Sequence, residues 1–242
     1  MKTGFIHSIE SMGLVDGPGI RTVVFMQGCY LRCKYCHNPD TWEMRSGSAR
    51  EVTAKSLFSR ISRFRPYFGK DGGVTFSGGE PLLQREFLIE MLSMCRSGGI
   101  NTCLDTSGCG NGSYKEILSL TDLVLLDIKH YTEEGYRDIT GRSKDEADRF
   151  IQAVQEMNTP LWIRHVVVPG ITDSDGHLAG LEAYLKTLKN IRRVELLPYH
   201  VLGVSKYRSM GIPYQLDGVP PMDASKLEKW NARLNRECCI PC

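Results

Sequence analysis

The sequence predicts an α/β fold with its strands parallel in one sheet. Two observations predict it. Apolar runs of strand length recur along the 242 residues and alternate with segments of helical period. Several of those runs are continuously apolar, as strands covered on both faces are. Six strand–helix units in series imply right-handed crossovers and are too few for a closed eight-stranded barrel. The expected architecture is a partial, open (β/α)6 barrel, with an open doubly wound sheet as the alternative. It is expected to form a single domain over residues 1–242.

The six runs are Thr22–Met26, Val74–Phe76, Ile100–Leu104, Leu123–Ile128, Leu161–Val168 and Val194–Leu197. Helical character falls at about Val52–Phe64, Gln84–Arg96, Tyr114–Leu120, Lys144–Met157, Asp173–Lys189 and Met222–Arg236. Thr53 and Ser143 are the expected helix caps. The stretch Leu202–Gly218 has no clear period and carries Gly203, Gly211, Pro213 and Gly218. A patternless segment of that length reads as a binding loop or lid, and Asp16–Arg21 reads as another. There is no internal repeat, low-complexity segment or linker.

Hydrophobic residues make up 41% and charged residues 24%, an ordinary globular balance that supports a full core without staples. A net charge of +2 is too small to argue for nucleic acid or an anionic membrane. No stretch approaches a membrane span, and Met1–Ser8 has no apolar run of signal-peptide length. With unpaired cysteines, these features lead to an expectation of the reducing cytoplasm.

Cys29, Cys33 and Cys36 stand in a C-x3-C-x2-C spacing on one short loop, and the next cysteine is Cys95. A cubane iron–sulfur cluster has four irons and usually takes four thiolates. Three thiolates leave one iron open to a ligand from outside the protein, which is what catalysis at a metal needs. Structural zinc closes with four ligands, and the one nearby candidate, His37, directly follows Cys36. Nine cysteines is an odd number, against a disulfide framework. A ferredoxin places its fourth cysteine before a proline. The spacing therefore favours the open-iron cluster, with a non-catalytic iron–sulfur electron carrier as the alternative from another class.

Ligands of parallel α/β folds gather at the carboxyl ends of the strands, and the unusual polar groups fall there. Ser77-Gly78-Gly79-Glu80-Pro81 follows the second run; it is either a tight turn or glycine backbone that a ligand amino group can approach. Asp105-Thr106 and Asp127-Ile128-Lys129 place two acids, a hydroxyl and a base at neighbouring strand ends. They suit a cation, a ribose or a carboxylate ligand at Lys129, or simply a salt bridge. Arg164 interrupts an apolar strand and requires a ligand or a buried acid; His165 faces the other way and reads as structural. His200 ends the sixth run, placed for a nucleoside contact, proton transfer or capping. Cys95, Cys103 and Cys109 read as inert, and the tail Cys238-Cys239-Ile240-Pro241-Cys242 matches no site pattern.

These residues together resemble the radical S-adenosylmethionine superfamily, through C-x3-C-x2-C with Tyr35 before the last cysteine and the later Gly78-Gly79-Glu80. More closely, the chain resembles the activases of glycyl radical enzymes. Carrying that likeness are Val15-Asp16-Gly17-Pro18-Gly19-Ile20-Arg21-Thr22, Cys36-His37-Asn38-Pro39-Asp40-Thr41-Trp42, Thr75–Pro81, Asp105–Gly108, Trp162-Ile163-Arg164 to Pro169-Gly170, Glu195–His200 and Tyr214–Gly218. The resemblance implies a 4Fe-4S cluster on Cys29, Cys33 and Cys36 and S-adenosylmethionine on the open iron. It implies reductive cleavage to a 5′-deoxyadenosyl radical and hydrogen abstraction from a glycine Cα of a partner enzyme. Tyr35, Gly78, Gly79, Glu80, Asp127, Lys129, Arg164 and His200 would then serve the cofactor. Asp105, Thr106 and Asp127 would hold a monovalent cation, and Asp16 would touch the substrate peptide. The expected partner is pyruvate formate-lyase, or another glycyl radical enzyme, and the expected donor a low-potential carrier such as flavodoxin. Cys36 to Ser77 contains no cysteine, so the ferredoxin-like insert of several other activases is absent.

Overall fold

The six apolar runs form six parallel strands, and their order across the sheet is their order along the chain. They are β2 (Arg21–Met26), β4 (Gly73–Gly78), β5 (Asn101–Thr106), β6 (Leu123–Asp127), β7 (Leu161–Val167) and β8 (Ile191–Pro198). The computed structural model describes residues 2–110 and 112–240; Cys242 of the cysteine tail lies outside them. A doubly wound sheet reverses direction at a switch point. None occurs between β2 and β8, so the sheet winds one way, as a barrel does. Among the described residues no strand joins β8 to the opposite edge, and the barrel stays open.

Two further strands were not expected. β1 (Thr3–Gly13) pairs antiparallel with β2, and β3 (Arg50–Thr53) pairs antiparallel with β1, giving an eight-stranded sheet. Both are partly exposed along much of their length, so neither shows a continuous apolar run.

Helices α1 (Ala54–Ser62), α2 (Arg85–Ser97), α3 (Lys115–Ser119), α5 (Asp145–Met157), α6 (Asp175–Leu185) and α8 (Glu228–Cys238) answer the six expected helices. Thr53 caps α1, accepting from the Ser56 N–H. Ser143 does not cap α5. Lys144 holds that position without a side-chain bond, and Ser143 Oγ accepts from the Asp145 N–H one step too early, at 3.2 Å. Two short helices were missed: α4 (Glu133–Thr140) and α7 (Val204–Met210), the latter inside the stretch read as patternless. No helix among the described residues is long and apolar enough to cross a membrane.

Strand alternation sorts side chains into two layers. Outward, Val24, Phe76, Leu104, Val124, Leu126, Ile163 and Val194 form the main core with Leu57, Leu88, Ile117, Phe150 and Leu181 of the helices. Inward, Cys103, Leu123 and Leu125 pack with Trp162 as an apolar floor. Two residues further along β5, β6 and β7 stand Asp105, Asp127 and Arg164, so the inward face turns polar toward the strands' carboxyl ends.

Below that floor Arg21 is fully buried. Its guanidinium donates to the carbonyls of Pro18, Asp71, Val74 and Asn101 and to Thr75 Oγ1 and Asn101 Oδ1. The charge is spread over six acceptors and ties the Asp16–Arg21 loop to the sheet.

Candidate active site

The cysteine loop is fastened by backbone bonds to three distant segments. The Gly28 and Cys29 N–H groups donate to Thr41 O and Trp42 O at 2.8 and 3.0 Å, and Glu80 N–H donates to Gly28 O at 2.7 Å. The Arg32 and Lys34 N–H groups donate to Thr140 O and Ile139 O, both at 2.9 Å, at the C-terminal end of α4. Gly78 and Gly79 permit this assembly. Gly78 has φ of 102°, and a Cβ on Gly79 would sit 2.2 Å from Gly28 O.

Cys29, Cys33 and Cys36 line one cavity of about 500 Å³ together with Asp16, Tyr35, His37, Trp42, Ser77, Gly78, Gly79, Asp105, Thr106, Asp127, Lys129, Arg164 and His200. All the residues that the resemblance assigns to the cluster, cofactor, cation or peptide, except Glu80, thus reach a single chamber. Among the described residues, no three His, Cys, Asp or Glu groups converge on a point suited to one ion. The thiols instead border a space that admits a multi-atom group. Burial pushes the Cys29 and Cys33 thiols up to about 12 and raises Cys36 as well. Thiolates there need a strong cationic centre to form. A cluster bound by three cysteines fits this donor set.

Glu80 is fully buried behind the cavity wall. Its carboxylate accepts from Thr106 Oγ1 (2.5 Å), the Ser107 N–H (3.0 Å), Ser107 Oγ (2.6 Å) and the Leu82 N–H (3.2 Å). It therefore holds the end of β5 against the Gly-Gly turn.

Four charges share the inner wall. Arg164 donates to Asp105 Oδ1, and its Nε donates to Asp127 Oδ1 at 3.1 Å. Lys129 Nζ donates to Asp127 Oδ2 at 2.9 Å, and Ser77 Oγ donates to Asp105 Oδ2 at 2.5 Å. Burial pushes the Asp127 carboxyl up, but Arg164 and Lys129 together outweigh it and hold the group at about 2. Asp105 has Arg164 but no second base, and burial keeps it above the usual carboxylate range. Burial, then the nearby Asp105, raises Asp16 to about 6.

His200 stacks on His37 with ring centroids 3.9 Å apart, and His37 Nε2 lies 3.0 Å from the His200 carbonyl. His200 Nδ1 and the Tyr35 hydroxyl are buried without a partner among the described residues, which suits groups facing a ligand. A second cavity of about 630 Å³ on the open side shares Asp16, Arg164 and Leu197 with the first. Leu14 and Val15, 70% and 77% exposed, stand on its rim.

Ser77, Ser107, Trp42 and Tyr207 were not singled out from the sequence. Ser77, Ser107 and Trp42 stand inside quoted motifs, whereas Tyr207 gives no local signal, because α7 brings it against Trp42 from afar.

A family model described as Radical SAM superfamily matches residues 23–181. The protein of Clostridium pasteurianum named pyruvate formate-lyase-activating enzyme is 55% identical over 230 residues, 95% of this chain and 96% of that one. Its namesake from Streptococcus mutans is 48% identical over 226 residues, 90% of this chain and 86% of its own. The structure of Streptococcus suis SuiB bound to precursor peptide SuiA superimposes with a TM-score of 0.67 at 18% identity, covering 94% of this chain and 46% of that one; it shares the fold.

Proposed function

The chain belongs to the pyruvate formate-lyase-activating enzymes of the radical SAM superfamily, and on that premise we propose that it makes the glycyl radical of pyruvate formate-lyase in the cavity at the carboxyl ends of β2 to β8. The observation that carries this reading is the meeting of three thiols, one buried and two half-buried, and the strand-end polar groups in one chamber. The family implies a 4Fe-4S cluster and S-adenosylmethionine. When bound, they supply the 5′-deoxyadenosyl radical that removes a hydrogen atom from a glycine Cα.

Cys29, Cys33 and Cys36 are assigned as the cluster ligands. Gly78 and Gly79 offer backbone to the methionine amino group, with Glu80 bracing the turn. Lys129 and Arg164 attract the methionine carboxylate, and Asp127 keeps both bases charged and in place. His200 offers its unpartnered Nδ1 to the nucleoside, and Tyr35 closes the wall near Lys129. Asp105, Thr106 and Asp127 supply two carboxylates and a hydroxyl for a monovalent cation beside that carboxylate.

Asp16 stands where the two cavities meet, so an extended glycine loop entering from the open side passes it. The apolar rim at Leu14 and Val15 favours a protein over a small polar substrate. Flavodoxin or a similar low-potential carrier supplies the electron in this reading, and the reducing cytoplasm is where free thiols and such a donor coexist.

The test is anaerobic reconstitution with pyruvate formate-lyase, S-adenosylmethionine and a reductant. A glycyl radical doublet in the electron paramagnetic resonance (EPR) spectrum and deuterium passing from a Cα-deuterated glycine into 5′-deoxyadenosine are expected. Cys33→Ala should lose the cluster, and Asp16→Ala should impair peptide turnover more than S-adenosylmethionine binding. If deuterium never transfers from peptide or whole partner, the activase reading is wrong.

A further inference from the structure

Alternate residues of the cysteine loop face opposite ways. Cys29, Leu31, Cys33 and Tyr35 line the cavity, whereas Tyr30, Arg32 and Lys34 between them do not. Tyr30 is 50% exposed, and Arg32 is exposed as well. The loop thus acts as a thin wall, with thiols on its inner side and an aromatic ring and two bases on its outer side.

Arg142, exposed in the turn after α4, joins that outer side. Its guanidinium lies 6.0 Å from the centre of the Tyr30 ring, and its Nε donates to Tyr30 O at 3.4 Å. Arg32 Nη1 donates to the carbonyls of Cys29 and Leu31 at 2.7 and 2.9 Å, and its guanidinium covers the Trp42 ring at 4.6 Å. Neither arginine pairs with a carboxylate among the described residues. Two acids of α4 and α5 are already engaged, Asp138 by Lys34 at 2.6 Å and Glu146 by Arg149. Two exposed guanidinium groups therefore stand without an acid beside an exposed tyrosine, and Tyr and Arg are the residue types that anchor protein interfaces. None of the three lines the second cavity, where the glycine loop enters in the reading above.

We propose that this outer side of the cysteine loop, through Tyr30, Arg32 and Arg142, docks an acidic one-electron carrier protein that reduces the cluster across the loop. The inference rests on the cluster assignment above and adds the place where the electron enters. Charge selects the occupant, because a carrier bearing surface carboxylates supplies the missing partners. Position selects the reaction, because Arg32 is one hydrogen bond from the carbonyl of Cys29, an assigned cluster ligand. The carrier loses one electron and the cluster gains it; no bond forms or breaks. Electron-transfer contacts are small, so a few side chains orient the carrier, and the glycine loop and the carrier bind at the same time.

The experiment follows the bleaching of the cluster absorbance in stopped flow, without pyruvate formate-lyase, so that a failed docking face and a failed activase reading are told apart. Wild type, Arg142→Glu and Arg32→Gln are each reduced by a reduced acidic flavodoxin and, separately, by photoreduced deazaflavin, a small molecule that needs no docking. The change at Arg32 is the milder one because its guanidinium also covers Trp42. With flavodoxin, Arg142→Glu is expected to be slower by about tenfold or more and Arg32→Gln slower in the same direction, while the deazaflavin rates stay at the wild-type value. Wild-type rates with flavodoxin in both variants would overturn the proposal, and so would equal slowing with both reductants.

A second measurement needs no variant. Wild-type holoenzyme is treated with phenylglyoxal, which modifies exposed arginines, with and without oxidised flavodoxin, and the modified residues are read by mass spectrometry. Arg32 and Arg142 are expected to be protected by flavodoxin. Equal modification of both with and without it overturns the proposal.

Discussion

Arg164 sets the charge balance of the inner wall. It serves Asp105 and Asp127 at once, while Lys129 serves only Asp127, so one acid is held low and the other stays high. Breaking a buried pair by removing one partner strands the other charge, at about 3–5 kcal/mol. Arg164→Met is expected to lose stability on that scale in urea unfolding. Asp105→Asn added to it should recover part of the loss by removing the stranded charge. Equal instability of the single and double variants would mean that the pair does not set the cost. Arg164 was legible in the sequence because a charge in an apolar strand demands a partner, and the buried acid was one of two expected answers. The roles of Ser77 and Ser107 were not, since each depends on a partner brought from another element.

Among elements, β8 is an edge strand whose outer backbone is covered by side chains. Asn235 of α8 accepts from the Val194 N–H at 3.0 Å and donates to Val194 O at 2.7 Å, and Asn231 accepts from the Leu196 N–H at 2.8 Å. Two amides one helical turn apart thus stand in for a neighbouring strand. Asn231→Ala with Asn235→Ala should cost about 2 kcal/mol or more and speed hydrogen exchange at the Val194 and Leu196 amides. Unchanged protection there would show that the two side chains do not cover the edge.

On the outer side of β7, His165 Nδ1 lies 2.7 Å from Ile128 O, and its Nε2 lies 3.0 Å from His177 Nε2 on α6. His165 therefore carries its proton on Nδ1 and accepts from His177. Burial lowers His165 to about 3 and His177 to about 4. The unfolded chain protonates both near 6.5 while the folded one resists. Stability is therefore complete above that value and falls as pH drops toward 4 and then 3, by about 1.4 kcal/mol per pH unit for each histidine. His177→Gln should flatten the slope between pH 6.5 and 4 by about one proton in denaturation measured across pH; an unaltered slope would place the acid sensitivity elsewhere. That His165 faces away from the cavity could be read from alternation along β7. The elements that escaped sequence reading share one cause: β1 and β3 are partly exposed, and α4 and α7 are short and bounded or interrupted by glycine, so none shows a full period.

For the whole molecule, the shared direction of the six parallel strands turns their carboxyl ends toward one chamber, and this is why the site was largely readable from loops after strands. What could not be read is which distant backbone holds the thiols. The loop of Gly28–Cys36 is fastened to Thr41, Trp42, Glu80, Ile139 and Thr140, and Lys206 of α7 bonds Asn38 and Asp40 just after it. That fastening has a consequence for synthesis. The thiols leave the ribosome well before α4 and α7, which complete their surroundings. A growing chain that stops short of α4 has no Ile139 or Thr140 to dock against, and one that stops short of α7 has no Lys206 to hold Asn38 and Asp40. Cluster insertion then follows the synthesis of α4 and α7, and carriers that deliver iron and sulfide meet a site already folded around the thiols. Ribosome-stalled chains ending before Glu133 should have Cys29, Cys33 and Cys36 alkylated quickly, whereas chains extending past Met210 should shield them; equal labelling at both lengths would separate the cage from the timing.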